Sequence, residues 1–451
     1  MPSFATMRRL VHDEIIQRSE EGCNVAGFQQ ELEALLPGDV ETLEALYEAL
    51  DELDPEPVFP YVEPSTLDSI RATRPEGVRR MEMAHSEEAL FDRIYGAWLG
   101  RCAGCSLGKP VEGWRRERVE RYLELADAYP LADYFPVLLP FPEGLALHDN
   151  YWETAKGHIR YMARDDDIDY TIMGLHYLEH FGLGFTSDDV ANTWMSRLPF
   201  RMVYTAEREA YRNLVNDIPP PHSARYRNPY REWIGAQIRA DVFGYVCPGW
   251  PERAAEFAFR DGAVSHVKNG IYGEMWVAAI VAAGLVSDDL DTVLAAGLAE
   301  IPAQSRLAEA VRDTIAARTR YTTWQEAWDA LMAKYGRYDG VHTINNAVIM
   351  LLGLLYGEMD FGSTISIAVM GGLDTDCNGA TAGSIMGAMV GAENLPARWV
   401  GPLGDRVTSY VVGEFDNRIS DLARRTQLVA EKVLALQPRS AYQLGKRDQS
   451  C

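Results

Sequence analysis

Glycine recurs at every fourth position through Gly379, Gly383, Gly387 and Gly391, with Ala380, Ala382 and Ala388 among them. Four-residue spacing aligns these positions on one face of a helix. An interior glycine costs a helix ~1 kcal/mol relative to alanine, so a smooth ridge of them needs an offsetting gain. Close approach of a neighbouring helix backbone supplies it. The spacing predicts a tightly paired, buried helix, and it places the start of that helix, just after Asp374 and Asp376, deep in the core.

From Glu87 onward the pattern is helix after helix. Apolar residues at three- and four-residue spacing mark ranges that include 87–106, 151–162, 170–181, 270–285, 342–356, 361–370, 378–391 and 406–437. Strand-like alternation is nearly absent, and no internal repeat of solenoid type is found. These features predict an all-α, compact multi-helix domain over residues 86–451. Residues 1–85 read as an acidic helical extension plus a connector. Leu32, Leu35 and Leu36 mark one helix and Leu43, Leu46, Tyr47 and Leu50 the next, with Pro37-Gly38-Asp39 between them. Pro55, Pro57, Pro60, Pro64 and Pro75 then forbid a continuous helix. The extension reads as an appendage, either a lid or a contact through which the chain forms a homo-oligomer.

Lys and Arg total 43 against 66 Asp and Glu, a net charge of −23 over 451 residues. Such a surface repels phosphate backbones, so nucleic acid and anionic membranes are excluded as general partners. The longest apolar runs, such as Trp276–Val286, fall short of the ~20 residues a membrane span needs. Arg8 and Arg9 precede no apolar stretch, so no signal peptide is expected. Six cysteines form no disulfide framework, and the expected location is the cytoplasm. Cys102 and Cys105 make a lone CxxC without a second pair to complete a zinc shell. Among Ala97, Gly100, Ala103 and Gly104 they read as small packing residues.

Two acidic clusters stand apart from the general charge, Arg164-Asp165-Asp166-Asp167-Ile168-Asp169 and Gly371-Gly372-Leu373-Asp374-Thr375-Asp376-Cys377. Each precedes an apolar helix. One Asp per cluster is explained as an N-cap worth ~1 kcal/mol. The others, packed into a core, would repel one another and bind protons more tightly. A divalent cation removes that conflict, and a hard ion such as Mg²⁺, with Mn²⁺ second, suits carboxylate oxygens.

Three segments resemble the ADP-ribosylglycohydrolase family. Gly104-Cys105-Ser106-Leu107-Gly108-Lys109-Pro110-Val111-Glu112 is similar to the family's Gly-Asp-x-x-Gly-x-x-x-Glu. Asp165-Asp166-Asp167 is similar to its Thr-Asp-Asp, and Asp374-Thr375-Asp376-Cys377 to its Asp-x-Asp-Thr/Ser. The three occur in the family's order. The resemblance implies a metal-dependent hydrolase of an N- or O-glycosidic bond to a ribosyl or related furanosyl group, with two Mg²⁺ ions binding sugar hydroxyls and activating water. By motif position Asp166, Asp167, Asp374 and Asp376 are the implied ligands. Asp165 stands in place of a ligand Thr, and Cys377 in place of a ligand Thr or Ser. Cys105 replaces the family's Asp. These departures bear on ADP-ribose specificity more than on glycosidic chemistry. A glycosidase of the same fold acting on another small-molecule glycoside, and a non-catalytic crystallin-like member, are the alternatives. The retained acidic residues argue against the latter.

Glycoside hydrolysis needs an acid and a base. Glu112, Asp165 and Asp167 are the candidate catalytic carboxylates; for Glu112 an ion pair with Arg115 or Arg116 is the competing role. The implied substrate is a small glycoside or an ADP-ribosylated group. Candidate substrate-binding residues are His266 and Asn269, at a helix start the resemblance puts near the cleft, and His342, which opens another apolar helix. A structural role fits such histidines equally. Asn150 and Trp152 add a group suited to stacking on a ring and bonding hydroxyls, with loop packing as the alternative.

Overall fold

In a computed structural model that describes residues 3–149 and 151–436, the described chain forms twenty α-helices and one two-stranded antiparallel ribbon, Arg406–Thr408 against Asp416–Arg418. The all-α expectation holds. Seven of the helices frame the cleft and its supports: α1 (Phe4–Glu20), α2 (Glu87–Gly108), α3 (Asp166–His180), α4 (Asn269–Gly284), α5 (Thr343–Tyr356), α6 (Thr375–Val390) and α7 (Ile419–Ala435). Two expected helices are corrected. The range 406–437 begins with the ribbon and becomes helical only at Ile419, with Gly413 at φ +92° in the turn. The range 151–162 holds only a short 3₁₀ turn, Tyr151–Thr154. Among the described residues no helix is long and apolar enough to cross a membrane.

The glycine ridge of α6 packs against a second ridge of the same spacing on α2. A Cβ at Gly104 would overlap the carbonyl oxygen of Gly379, one at Gly100 that of Gly383, and one at Gly96 would fall 2.6 Å from that of Gly387. The pairing is antiparallel, so the C-terminus of α2 meets the N-terminus of α6, where the Thr375 hydroxyl donates to the Gly108 carbonyl at 2.8 Å. Gly104→Ala is expected to lower stability by about 3 kcal/mol, because neither backbone has room to yield. The urea midpoint should fall with an unchanged slope. Gly184→Ala, where a Cβ meets nothing within 4 Å, should leave the midpoint in place.

The N-terminal extension is built into the molecule. Met7, Leu10, Val11 and Ile15 of α1 pack with Leu43, Leu46, Tyr47 and Leu50, and this cluster reaches Ala206 and Tyr230 of the larger domain. Beneath it Glu14 and Glu21 are buried against the Arg231 guanidinium, at 2.7 and 2.9 Å. The Pro-rich connector contributes too, since Glu63 pairs with buried Arg306 at 2.7 Å. The extension is packed across buried charge rather than hung from the domain as an appendage.

Candidate active site

Asp165 is the N-cap of α3. Its Oδ1 accepts from the Asp167 amide at 3.1 Å, so the capping role is real. Its other oxygen, Oδ2, faces the Lys109 ammonium at 2.7 Å. The helix then distributes its first-turn acids by angle. Asp166 faces a cavity of about 510 Å³. Asp167 turns inward, where Arg101 Nη2 lies 3.2 Å away and the Cys377 thiol donates at 3.3 Å. Asp169, also inward, accepts from Arg164 at 2.8 Å and from the Tyr410 amide at 3.0 Å.

The second cluster is held by a tight turn. Gly372 and Leu373 both adopt positive φ, +79° and +65°. A Cβ on Gly372 would come within 2.6 Å of the Arg116 nitrogen, so glycine is required there. The Leu373 amide donates to the Trp114 carbonyl at 2.7 Å, and the Gly113 amide to the Leu373 carbonyl at 2.8 Å. These bonds stitch the turn to the loop that carries Glu112. Asn346 of α5 fixes the other side, accepting from the Asp374 amide at 3.1 Å and from Asn378 at 2.8 Å. The Asp374 carboxylate makes no cap bond and lines the cavity.

The two clusters meet at Lys109, which follows the last glycine of α2. Its Nζ lies 2.7 Å from Asp165, 2.8 Å from Glu112 and 3.1 Å from Asp376. Around that ammonium the carboxyls diverge. Burial raises Asp165, but Lys109 outweighs it and holds the group below its ordinary range. The Asp376 charge and then burial push Glu112 up to about 8. Burial and Asp165 push Asp166 up to about 7, and burial, Asp376 and Glu112 lift Asp374 well above the carboxylate range. Burial raises the Cys105 and Cys377 thiols, keeping both protonated.

A divalent cation fits part of this donor set. Asp376 Oδ1 is buried without a partner, and ligand atoms of Asp374, Asp376 and Cys377 lie within 4.8 Å of one another, as do those of Cys105, Asp165 and Asp167. Uncompensated carboxylate oxygens of this kind suit a hard ion; the protonated thiols do not. Tyr204, Trp233 and Tyr410 form the aromatic wall of the cavity.

Other expected site residues lie elsewhere. His266 is fully buried, with Nδ1 2.8 Å from the Ser265 hydroxyl, and is absent from the cavity lining. Asn269 is buried and donates to Glu63 and Glu232 at 2.8 and 3.1 Å. His342 caps α5 through Nδ1, which accepts from the Ile344 amide, and its Nε2 lies 3.7 Å from Glu20 of α1. Burial pushes its pKa down to about 3. These three therefore belong to the interior and to the seam with the extension, although the Nε2 atoms of His266 and His342 are buried without a hydrogen bond. Trp152 is half exposed and lies against His158 with the two rings tilted by 36°, while its neighbours Glu153 and Thr154 line the cavity. Asn150 lies outside the described residues. Sequence reasoning overlooked Lys109, Tyr204 and Tyr410, and reached Asn346 only as part of the His342–Asn346 segment. For Lys109 the signal was present, three residues before Glu112 in a motif already singled out.

The sequence model of the ADP-ribosylglycohydrolase family matches residues 86–435. Among solved structures the chain is similar to one titled "ADP-ribosylglycohydrolase-related protein complex", at 16% identity, over 77% of this chain and 99% of that one, with a TM-score of 0.42. No curated protein matches.

Proposed function

The chain belongs to the ADP-ribosylglycohydrolase family, and from that premise we propose that its cleft hydrolyses an N- or O-glycosidic bond to a ribosyl or related furanosyl group. One observation carries this reading. Two carboxyls share the Lys109 ammonium at the cavity floor while their environments push them apart, Asp165 below its ordinary range and Glu112 up to about 8. Such a split supports reading Glu112 as the acid and Asp165 as the base. Protonated Glu112 gives its proton to the departing aglycone, and ionised Asp165 accepts one from the attacking water. Asp167 anchors this floor through Arg101 and Cys377 instead of meeting substrate. A divalent cation held by Asp374 and Asp376, when bound, supplies charge that orients sugar hydroxyls and acidifies a water.

The charge of the lining favours a particular substrate within that class. Glu153, Asp165 and Asp166 face the cavity together with Glu207, which is paired with Arg239, and with Glu112 and Asp374, whose carboxyls are raised, against Lys109 and Arg164. Lys109 is shared among three carboxylates, and Arg164 is paired with Asp169. A diphosphate would meet repulsion from the ionised carboxylates and, apart from a bound divalent ion, no uncommitted cation. A neutral or cationic glycoside, its aglycone or base stacked on Tyr204 or Tyr410, fits better. The test is a Mg²⁺-supplemented panel of ADP-ribosylated peptide, ADP-ribose derivatives, nucleosides and simple glycosides. Turnover of nucleosides or simple glycosides is expected. Turnover confined to ADP-ribosyl compounds would overturn the preference, and none across the panel would overturn the hydrolase reading.

A further inference from the structure

We infer that the Lys109 ammonium is itself the resident cation between the two acidic clusters, so that this chain binds one divalent ion where its family resemblance implies two. The inference rests on the reading of Asp165 and Asp376 as cation-binding carboxylates of the cleft.

The placement of Lys109 is fixed by the backbone. It follows Gly108, which is locked beneath Thr375 by the 2.8 Å hydroxyl–carbonyl bond and by the close approach of α2 to α6. An ammonium has three N–H donors and no acceptor. Three carboxylates from three separate segments surround it, Glu112 at 2.8 Å, Asp165 at 2.7 Å and Asp376 at 3.1 Å. Its side chain is 15% exposed and those of Asp165 and Asp376 are 2% and 3% exposed, so water screens these two contacts little, while Glu112, at 36%, faces the open cavity.

The departures from the family pattern fit one another on this reading. Asp165 replaces a hydroxyl by a carboxylate, and the added negative charge faces Lys109 directly. Cys105 replaces a carboxylate by a thiol, beside Asp165 and Asp167. The change removes a hard donor where a second metal ion would draw on it. A dication sharing the oxygens of Asp165 and Asp376 would be driven against a positive charge that these two carboxylates and Glu112 already hold. Two carboxylate oxygens here are buried without a hydrogen bond: Asp165 Oδ2, which faces the Lys109 ammonium at 2.7 Å, and Asp376 Oδ1, which has no counter-charge of its own and has Asp374 beside it in the same donor group. That combination provides for one ion.

The test uses the full chain, stripped with a chelator and titrated with Mn²⁺ as the probe. Calorimetry and equilibrium dialysis give the stoichiometry, and electron paramagnetic resonance separates isolated from exchange-coupled ions. The wild-type chain is expected to bind one Mn²⁺ with an isolated-ion spectrum. Lys109→Met, of similar length and no charge, is expected to bind two and to show coupling. Two coupled ions in the wild type, none in the wild type, or one ion in a natively folded Lys109→Met variant would each overturn the inference. Should Lys109→Met not fold, the wild-type count decides. Turnover on the glycoside panel is read separately. One ion without turnover would count against the proposed hydrolase only, and two ions with turnover against the inference only.

Discussion

Replacing Asp374 by Asn is expected to lower kcat/KM about a thousandfold, the scale of a lost charge-stabilising group in an active site, while leaving the metal-free protein as stable as before or more so. The two halves of this result have separate origins. The Asp374 carboxylate makes no cap bond; its backbone amide, bonded to Asn346, holds the turn. The carboxyl is already raised well above its ordinary range by burial and by Asp376 and Glu112. A neutral amide therefore relieves repulsion in the empty fold and removes a donor only when a cation binds. Mn²⁺ titration, urea unfolding and turnover on the best panel substrate distinguish the cases. A loss of about 1 kcal/mol with turnover intact would return Asp374 to the role of a helix cap.

The outcome would also mark how far local pattern reached in this chain. The ridge Gly379–Gly383–Gly387 was legible because four-residue glycine spacing has few explanations. Its counterpart on α2, Gly96–Gly100–Gly104–Gly108, has the same spacing, but bulky Trp98 and Arg101 between the glycines hide the ridge until the opposing helix is seen. The meeting of the two acidic stretches followed from chemistry, since carboxylates in a core need a shared cation. That the cation present is a lysine did not follow, because lysine in a sequence reads first as a solvated charge. His266, Asn269 and His342 show the converse case, buried in the interior and outside the cavity lining. Each opens or precedes a helix, as a cleft residue often does. Their neighbours here include Glu20, Glu63 and Glu232, and two of these three come from the extension more than two hundred residues away. No local spacing contains that information.

The same seam gives the second large effect. Arg231→Met is expected to destabilise the protein by about 3–5 kcal/mol, because it leaves buried carboxylates without their counter-charge. Arg231 bonds Glu14 through both terminal nitrogens, at 2.7 and 2.9 Å, and Glu21 through Nε at 3.0 Å. Glu14 also accepts from Arg18 and from the Tyr47 hydroxyl, each at 2.8 Å. Adding Glu14→Gln to Arg231→Met should recover part of the loss, since it removes one of the stranded charges, and the non-additivity measures the coupling. The consequence reaches the cavity, because Trp233, Ile234 and Gly235 lie just downstream and form its wall. A chain lacking residues 1–75 would strand Arg231 and uncover Tyr230 and Ala206 together. That truncation should be recovered insoluble, or with a urea midpoint far below that of the full chain. A soluble truncated chain with an unshifted midpoint would mean that the extension adds no stability, and the buried ion pairs at the seam would then have to be accounted for without it.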